Sequence, residues 1–180
     1  MRLVAAAVLA LALLPAQARE SWEKFFSLGF NDLPAELAEA RASGKKGLLL
    51  IYQQDPCPYC ERMKANILAR ADVQKWYGLR FAAFSIDIRG SAELVDFAGR
   101  KTTEASFARE ALVQGAPIVD FYDLQGKLLA RVPGEIKDAS TFLALGDWIA
   151  SGAQRKESFE AFRAARGLDA TPLKINQFKP

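Results

Sequence analysis

The chain has 180 residues, 51% of them hydrophobic and 25% charged, enough to form one soluble domain with a proper core. Its 24 Lys and Arg against 21 Asp and Glu leave a net charge of +3 with no basic run, which argues against nucleic acid as a partner. Histidine is absent, which removes Ser-His-Asp and Cys-His hydrolases, histidine general bases and most zinc enzymes, so neither a metal site nor a cofactor is expected.

Met1-Arg2 is a short positive start, Val4 to Leu14 is an unbroken apolar run, and Pro15 breaks it. Ala16-Gln17-Ala18 then supplies the small-x-small cleavage site of a secretory signal peptide. The run is too short for a bilayer core, which needs about 20 residues. Residues 1–18 are therefore expected to be a leader cleaved after Ala18, with residues 19–180 exported to the periplasm or its equivalent.

Ser21 to Leu28 predicts a short helix laid on the core through Trp22, Phe25 and Phe26. Pro34 to Ala42 predicts a helix, with proline in the first turn and Gly44 at the exit. Gly47 to Tyr52 is a continuous apolar run bounded by turn residues and predicts a central strand covered on both faces. From Cys57 to about Arg70, Cys60, Met63 and Ile67 recur at helical spacing, with Lys64 and Arg70 turned outward. Asp72 is positioned to cap a short helix through Tyr77. Phe81 to Ile88 predicts a second buried strand, and Thr102 to Leu112 a helix.

Ile118 to Tyr122 and Lys127 to Val132 predict strands joined by the hairpin signal Asp123-Leu124-Gln125-Gly126. Asp138 is placed to cap a helix from Ala139 to about Ala150 that carries Phe142, Leu145 and Ile149 on one face. A parallel βαβ unit followed by an antiparallel hairpin and helix predicts an α/β fold, a central mixed sheet with helices on both faces. No linker interrupts it, so residues 19–180 are expected to form one domain with its core over about 37–150. The tail 153–180 adds a charged helix ending near Gly167 and then an irregular stretch.

The chain has two cysteines, Cys57-Pro58-Tyr59-Cys60, at the junction of a buried strand and a helix. A thiolate is the species that attacks a disulfide, and a helix N-terminus offers it unpaired N–H groups and partial positive charge. Cys57 falls at the N-cap and Pro58 at the first helical position, so hydrogen bonds from the following turn lower the Cys57 pKa. Cys60 lies one turn further in, close enough to close a disulfide and to resolve a mixed one. Cys57 is expected to be the exposed nucleophile and Cys60 the shielded resolving thiol. A zinc site would need more ligands, c-type haem would need histidine where Glu61 stands, and a structural disulfide over so short a loop would constrain little of the unfolded chain.

Beyond the cysteines, Gln114-Gly115-Ala116-Pro117 followed by Ile118 to Asp123 resembles the cis-proline loop and next strand of the thioredoxin superfamily. Gly126-Lys127 and Arg131-Val132-Pro133-Gly134 resemble its hairpin and closing glycine, and the resemblance extends over about Leu37 to Ile149. Asp96 to Lys101 with Thr103-Glu104 resembles the periplasmic thioredoxin-like proteins of the SoxW type, which accompany sulfur-oxidation and cytochrome-maturation systems and are kept reduced by membrane electron carriers. The resemblance implies a thioredoxin-like fold and a cis Pro117 that turns the backbone of Ala116 towards Cys57, where Ala116 can pair with an extended substrate segment. Pro58 and Tyr59 join Ala116 and Pro117 as the expected substrate-contacting residues.

Departures from the family pattern accompany this likeness. The usual buried carboxylate six residues before the first cysteine is Ile51, the lysine facing it falls near Ala83, and the usual tryptophan is Pro56. That leaves no evident general base, since Glu61 reads as a solvated helical charge. The expected activity is thiol–disulfide oxidoreduction by a monomer that reduces protein disulfides or sulfur carriers and is itself reduced by a membrane donor. A disulfide oxidase or isomerase with the same cysteines, or a binding or chaperone module with a structural disulfide, remain the alternatives. An isomerase of the DsbC or DsbG type would need a separate dimerisation domain, for which too few residues precede the catalytic strand.

Overall fold

The computed structural model describes residues 21–29, 31–168 and 171–178, so the predicted leader lies outside the described residues. Two strands open the sheet, β1 over Gly47–Gln53 and β2 over Phe81–Asp87, and they pair in parallel from Gly47 opposite Phe81 to Gln53 opposite Asp87. Strand β1 is buried from Gly47 to Tyr52, as an apolar run with no alternation requires. Two short strands, β3 (Glu93–Val95) and β4 (Lys101–Thr103), form a separate antiparallel ribbon. Strands β5 (Ile118–Tyr122) and β6 (Leu128–Pro133) form the expected hairpin, and β7 (Asn176–Gln177) pairs with Ala130 and Arg131 of β6. The main sheet runs β2-β1-β5-β6-β7, mixed, with β5 antiparallel to β1. Gly126 turns the hairpin with a φ of 77°, a conformation that glycine adopts without steric cost.

Helices cover both faces. Helix α1 (Leu33–Ala42) and α4 (Glu104–Glu110) bury Leu33, Leu37, Ala40, Phe107 and Ala108 against Leu48, Leu50 and Tyr52 of β1. On the other face lie α2 (Pro58–Met63), a π-helical turn over Lys64–Leu68, α3 (Ala71–Gly78), α5 (Ala139–Ala150) and α6 (Phe159–Ala165). Their side chains meet Leu49, Ile51, Val119 and Phe121 in one aromatic-rich core, in which Tyr77 stacks on Phe142 at 4.2 Å and donates its hydroxyl to the Phe142 carbonyl.

Several local expectations need correction. The N-terminal helix shrinks to a 3-10 turn over Trp22–Phe25. Helix α3 begins at Ala71, so Asp72 sits inside its first turn, ion-paired with Arg70, and does not cap it. The stretch from Thr102 splits, because Lys101–Thr103 pairs with β3 and the Thr103 hydroxyl caps α4 by accepting from Ser106 N. Asp96 closes the β3–β4 turn by accepting from the backbone of Ala98 and Arg100 and from the Arg100 side chain. The tail is a 3-10 turn over Ala153–Arg155, then α6, then a segment that ends as β7. Two residues of strand are too few to show a period of two, so only the partner strand reveals β7.

Two polar knots hold this arrangement. Asp138 caps α5 as expected, accepting from Thr141 N at 2.7 Å and from the Ser140 hydroxyl, and it also accepts from the Thr171 hydroxyl at 2.8 Å. The same carboxylate thus ties the tail to the helix. On the other face, fully buried Asp120 takes two bonds from Arg131 across the hairpin, at 2.8 and 2.7 Å, and one from Tyr122 OH. Burial pushes the Asp120 carboxyl up, against the pull of Arg131, whose guanidinium is held firmly protonated by this contact and also donates to Ala111 O.

Two outcomes are expected in urea unfolding. Asp138→Ala removes the cap and should cost about 1–2 kcal/mol near neutral pH. Burial alone would raise the Asp138 carboxyl, but bonds from Ser140, Thr141 and Thr171 outweigh it and hold it below the ordinary value. Its stabilisation is therefore present above the unfolded pKa of about 3.9 and lost as pH falls through the lower folded value, so parent and variant should converge in acid. Asp120→Ala leaves Arg131 without its carboxylate and should cost roughly 3–5 kcal/mol.

Candidate active site

Strand β1 runs out at Gln53, and the chain turns through Asp55-Pro56 into α2. Cys57 has extended backbone angles and is the N-cap, Pro58 opens the helix, and Cys60 N donates to Cys57 Sγ at 3.1 Å. This is the arrangement expected of the motif, with backbone N–H groups and the helix dipole directed at the outer sulfur. The two cysteines are joined as a disulfide, their Cα atoms 5.3 Å apart.

Antiparallel pairing of β1 with β5 sets Tyr52 opposite Ile118 and so brings the start of β5 beside the cysteines. The Ala116–Pro117 bond is cis, as the resemblance implies, and the Asp55–Pro56 bond is also cis, which no feature of the sequence announces. Ala116 O lies 3.7 Å from Cys57 Sγ. A disulfide sulfur has no proton to give, so this is a close approach that becomes a hydrogen bond only when Cys57 carries its thiol proton. Gly134 N donates to Pro117 O and ties the loop to the end of β6.

One expectation fails here. Cys57 is only 4% exposed and Cys60 3%, so in the disulfide state the outer cysteine is nearly as covered as the inner one. The loop before Pro117 crosses beside its sulfur. The asymmetry lies in what each cysteine faces. Cys57 meets the Ala116 carbonyl below the exposed rim of Pro56, Pro58 and Tyr59, whereas Cys60 faces a small internal cavity with Ile51, Met63 and Leu68.

The expected substrate-contacting residues surround this rim. Tyr59 is 55% exposed, Pro58 is exposed, Ala116 is half-buried and Pro117 is buried. From Ala116 an open groove continues past Gln114 and Gly134 to Arg131, Asn176 and the exposed Leu112, whose φ of 58° is left-handed.

Three further side chains shape the site unannounced by the motif. Arg62 lies 4.6 Å over the Tyr59 ring and makes a two-pronged pair with Glu135, which raises its pKa and braces α2 against the loop after β6. Ser85, not Ala83, stands opposite Ile51, and its hydroxyl accepts from Gln53. Lys64 is not turned outward: its side chain is 15% exposed, 4.4 Å over the Trp22 ring and 2.9 Å from Glu61. Glu61 itself is exposed, as expected. Arg62 with Glu135, Gln53 with Ser85 and Lys64 with Trp22 join residues far apart in the chain, whereas Tyr59 with Arg62 and Glu61 with Lys64 are pairs three apart on a helix that the spacing could have announced.

The model of the thioredoxin-like domain matches residues 33–149. No curated protein matches the chain. Among solved structures, it is similar to a thioredoxin-fold protein from Helicobacter pylori at 21% identity, with 83% of this chain and 96% of that one covered and a TM-score of 0.66. It is also similar to the DsbH oxidoreductase at 17% identity, covering 81% and 95% with a TM-score of 0.52. At these identities the likeness establishes the fold. With a cysteine pair at the helix start of that fold, the protein is a thioredoxin-like thiol–disulfide oxidoreductase, and the chain belongs to the thioredoxin-like domain family.

Proposed function

We propose that the chain is exported and works as a monomeric reductase of protein disulfides or sulfur carriers, returned to its dithiol form by a membrane electron donor. The observation that carries the direction is the pair of polar neighbours at Cys57 Sγ, a single backbone N–H at 3.1 Å and a carbonyl oxygen at 3.7 Å. The N–H favours the thiolate, whereas the carbonyl accepts from the thiol and disfavours the anion. Strong oxidants of this kind owe their potential to a stabilised reduced form, and these opposed dipoles stabilise the Cys57 thiolate only modestly.

Likeness of Asp96 to Glu104 to the SoxW type supports the same reading. That likeness concerns the scaffold, because Phe97 packs on Tyr122 at the end of the sheet away from the cysteines. A reductase in a compartment oxidised kinetically needs its own electron supply, which is the reason for a membrane donor.

Equilibration with glutathione buffers should place the Cys57–Cys60 couple nearer the thioredoxin value of about −270 mV than the oxidant DsbA at about −120 mV. A potential close to the second would mean an oxidase. In the reduced protein, a brief iodoacetamide pulse should label Cys57 well before Cys60, as read by peptide mapping. Cys60→Ser should accumulate mixed disulfides with substrate proteins and Cys57→Ser should accumulate none. Equal trapping by both variants would contradict these roles.

A further inference from the structure

Resolution of a mixed disulfide requires Cys60 to lose its proton. The Cys60 thiolate attacks Cys57 Sγ, the Cys57–substrate S–S bond breaks, the substrate sulfur departs with the electron pair, and the Cys60 proton passes to solvent. Cys60 is 3% exposed among Ile51, Met63 and Leu68, surroundings that oppose ionisation, and among the described residues no carboxylate lines this space.

The cavity that Cys60 faces is lined by Gln53 and Lys64 as well as by apolar side chains and Pro117, and has room for about one water molecule. Lys64 follows Cys60 by four residues, on the same face of the helical segment, and it is the charged residue in the cavity wall. Its ammonium lies over the Trp22 ring and pairs with Glu61. We propose that Lys64 is the positioning residue for the resolving step, its positive charge stabilising the Cys60 thiolate in place of a buried carboxylate that accepts the proton. This rests on the oxidoreductase reading of the cysteines.

Other charges near these elements are engaged elsewhere. Arg62 is paired with Glu135, Arg70 with Asp72, and Asp138 is bound within the cap of α5. Glu23 and Lys24 lie on the exposed side of the 3-10 turn, and Asp55 is exposed before the motif. Asp120 and Arg131 pair on the opposite face of the sheet. None of these lines the cavity.

The test is the pH profile of mixed-disulfide resolution, followed as release of a chromogenic thiol from a preformed Cys57 adduct. Lys64→Met keeps an unbranched apolar stem on Trp22 but removes the charge. The apparent pKa of resolution should rise by about one unit, slowing the step about tenfold near neutral pH, with rates converging in alkali. Lys64→Arg should restore the parent profile. Glu61→Gln unmasks the ammonium and should shift the profile the opposite way, which keeps the inference testable if Lys64→Met folds poorly. An unchanged profile in Lys64→Met, or no downward shift in Glu61→Gln, overturns the inference. Failure of Cys60→Ser to form any Cys57 adduct would instead overturn the function on which it rests.

Discussion

The contact on which the site depends is the pairing of β1 with β5. Tyr52 opposite Ile118 sets the end of β1 beside the start of β5, and this register brings Cys57, in the turn after β1, together with Pro117, just before β5. A slip of one residue would turn Val119 and Phe121 to the wrong face and bury Asp120 among Met63, Ile67 and Phe142. The Asp120–Arg131 pair guards against this. The two residues are direct partners across the hairpin, and both are satisfied only on the face covered by α4, where Arg131 also reaches Ala111 O.

The chemistry at the outer sulfur is then built from backbone. Without histidine and without the buried acid, Cys57 is governed by the Cys60 N–H and the Ala116 carbonyl, opposed dipoles contributed by the start of α2 and the loop before β5. Side chains act one layer out. Arg62 braces the helix to Glu135 and covers the Tyr59 ring, while Gln53 and Lys64 bring polarity to the space behind Cys60. This division suits thiol–disulfide exchange with protein partners, since a backbone group can pair with an extended segment whatever its side chains.

Stability and reactivity share one side of the sheet. The aromatic core of Phe25, Tyr77, Phe81, Phe121 and Phe142 lies on the α2 side of the sheet, and the tail closes over it through Leu173 and Ile175. Thr171 bound to Asp138 and Gln177 bound to Gln154 O anchor that tail to the start of α5 and to the 3-10 turn that follows it. The tail also completes the sheet edge beside the groove through Asn176, so a segment with little pattern of its own becomes part of the wall next to Ala116.

Periodicity and cap chemistry were enough to read the two parallel strands, the hairpin, α1, α5 with its Asp138 cap, and the strand-to-helix position of the cysteine motif. Each of these is a local preference: a fully apolar run, a glycine turn, a carboxylate three residues before the N–H it accepts. The expectation of a leader over residues 1–18 likewise rests on composition, and it lies outside the described residues. The short strands β3, β4 and β7 were not legible, because two or three residues carry no period and their pairing is fixed by partners distant in sequence. The charge of Lys64 suggests an outward side chain, and the approach of Trp22 from the N-terminal turn encloses it. Reactivity suggests an exposed Cys57, and the loop at Ala116, set beside it by the β1–β5 register, helps to cover it. Local sequence thus determined which residues could react, and long-range packing decided what surrounds them, since desolvation and charge at a site come from neighbours that the chain supplies from elsewhere.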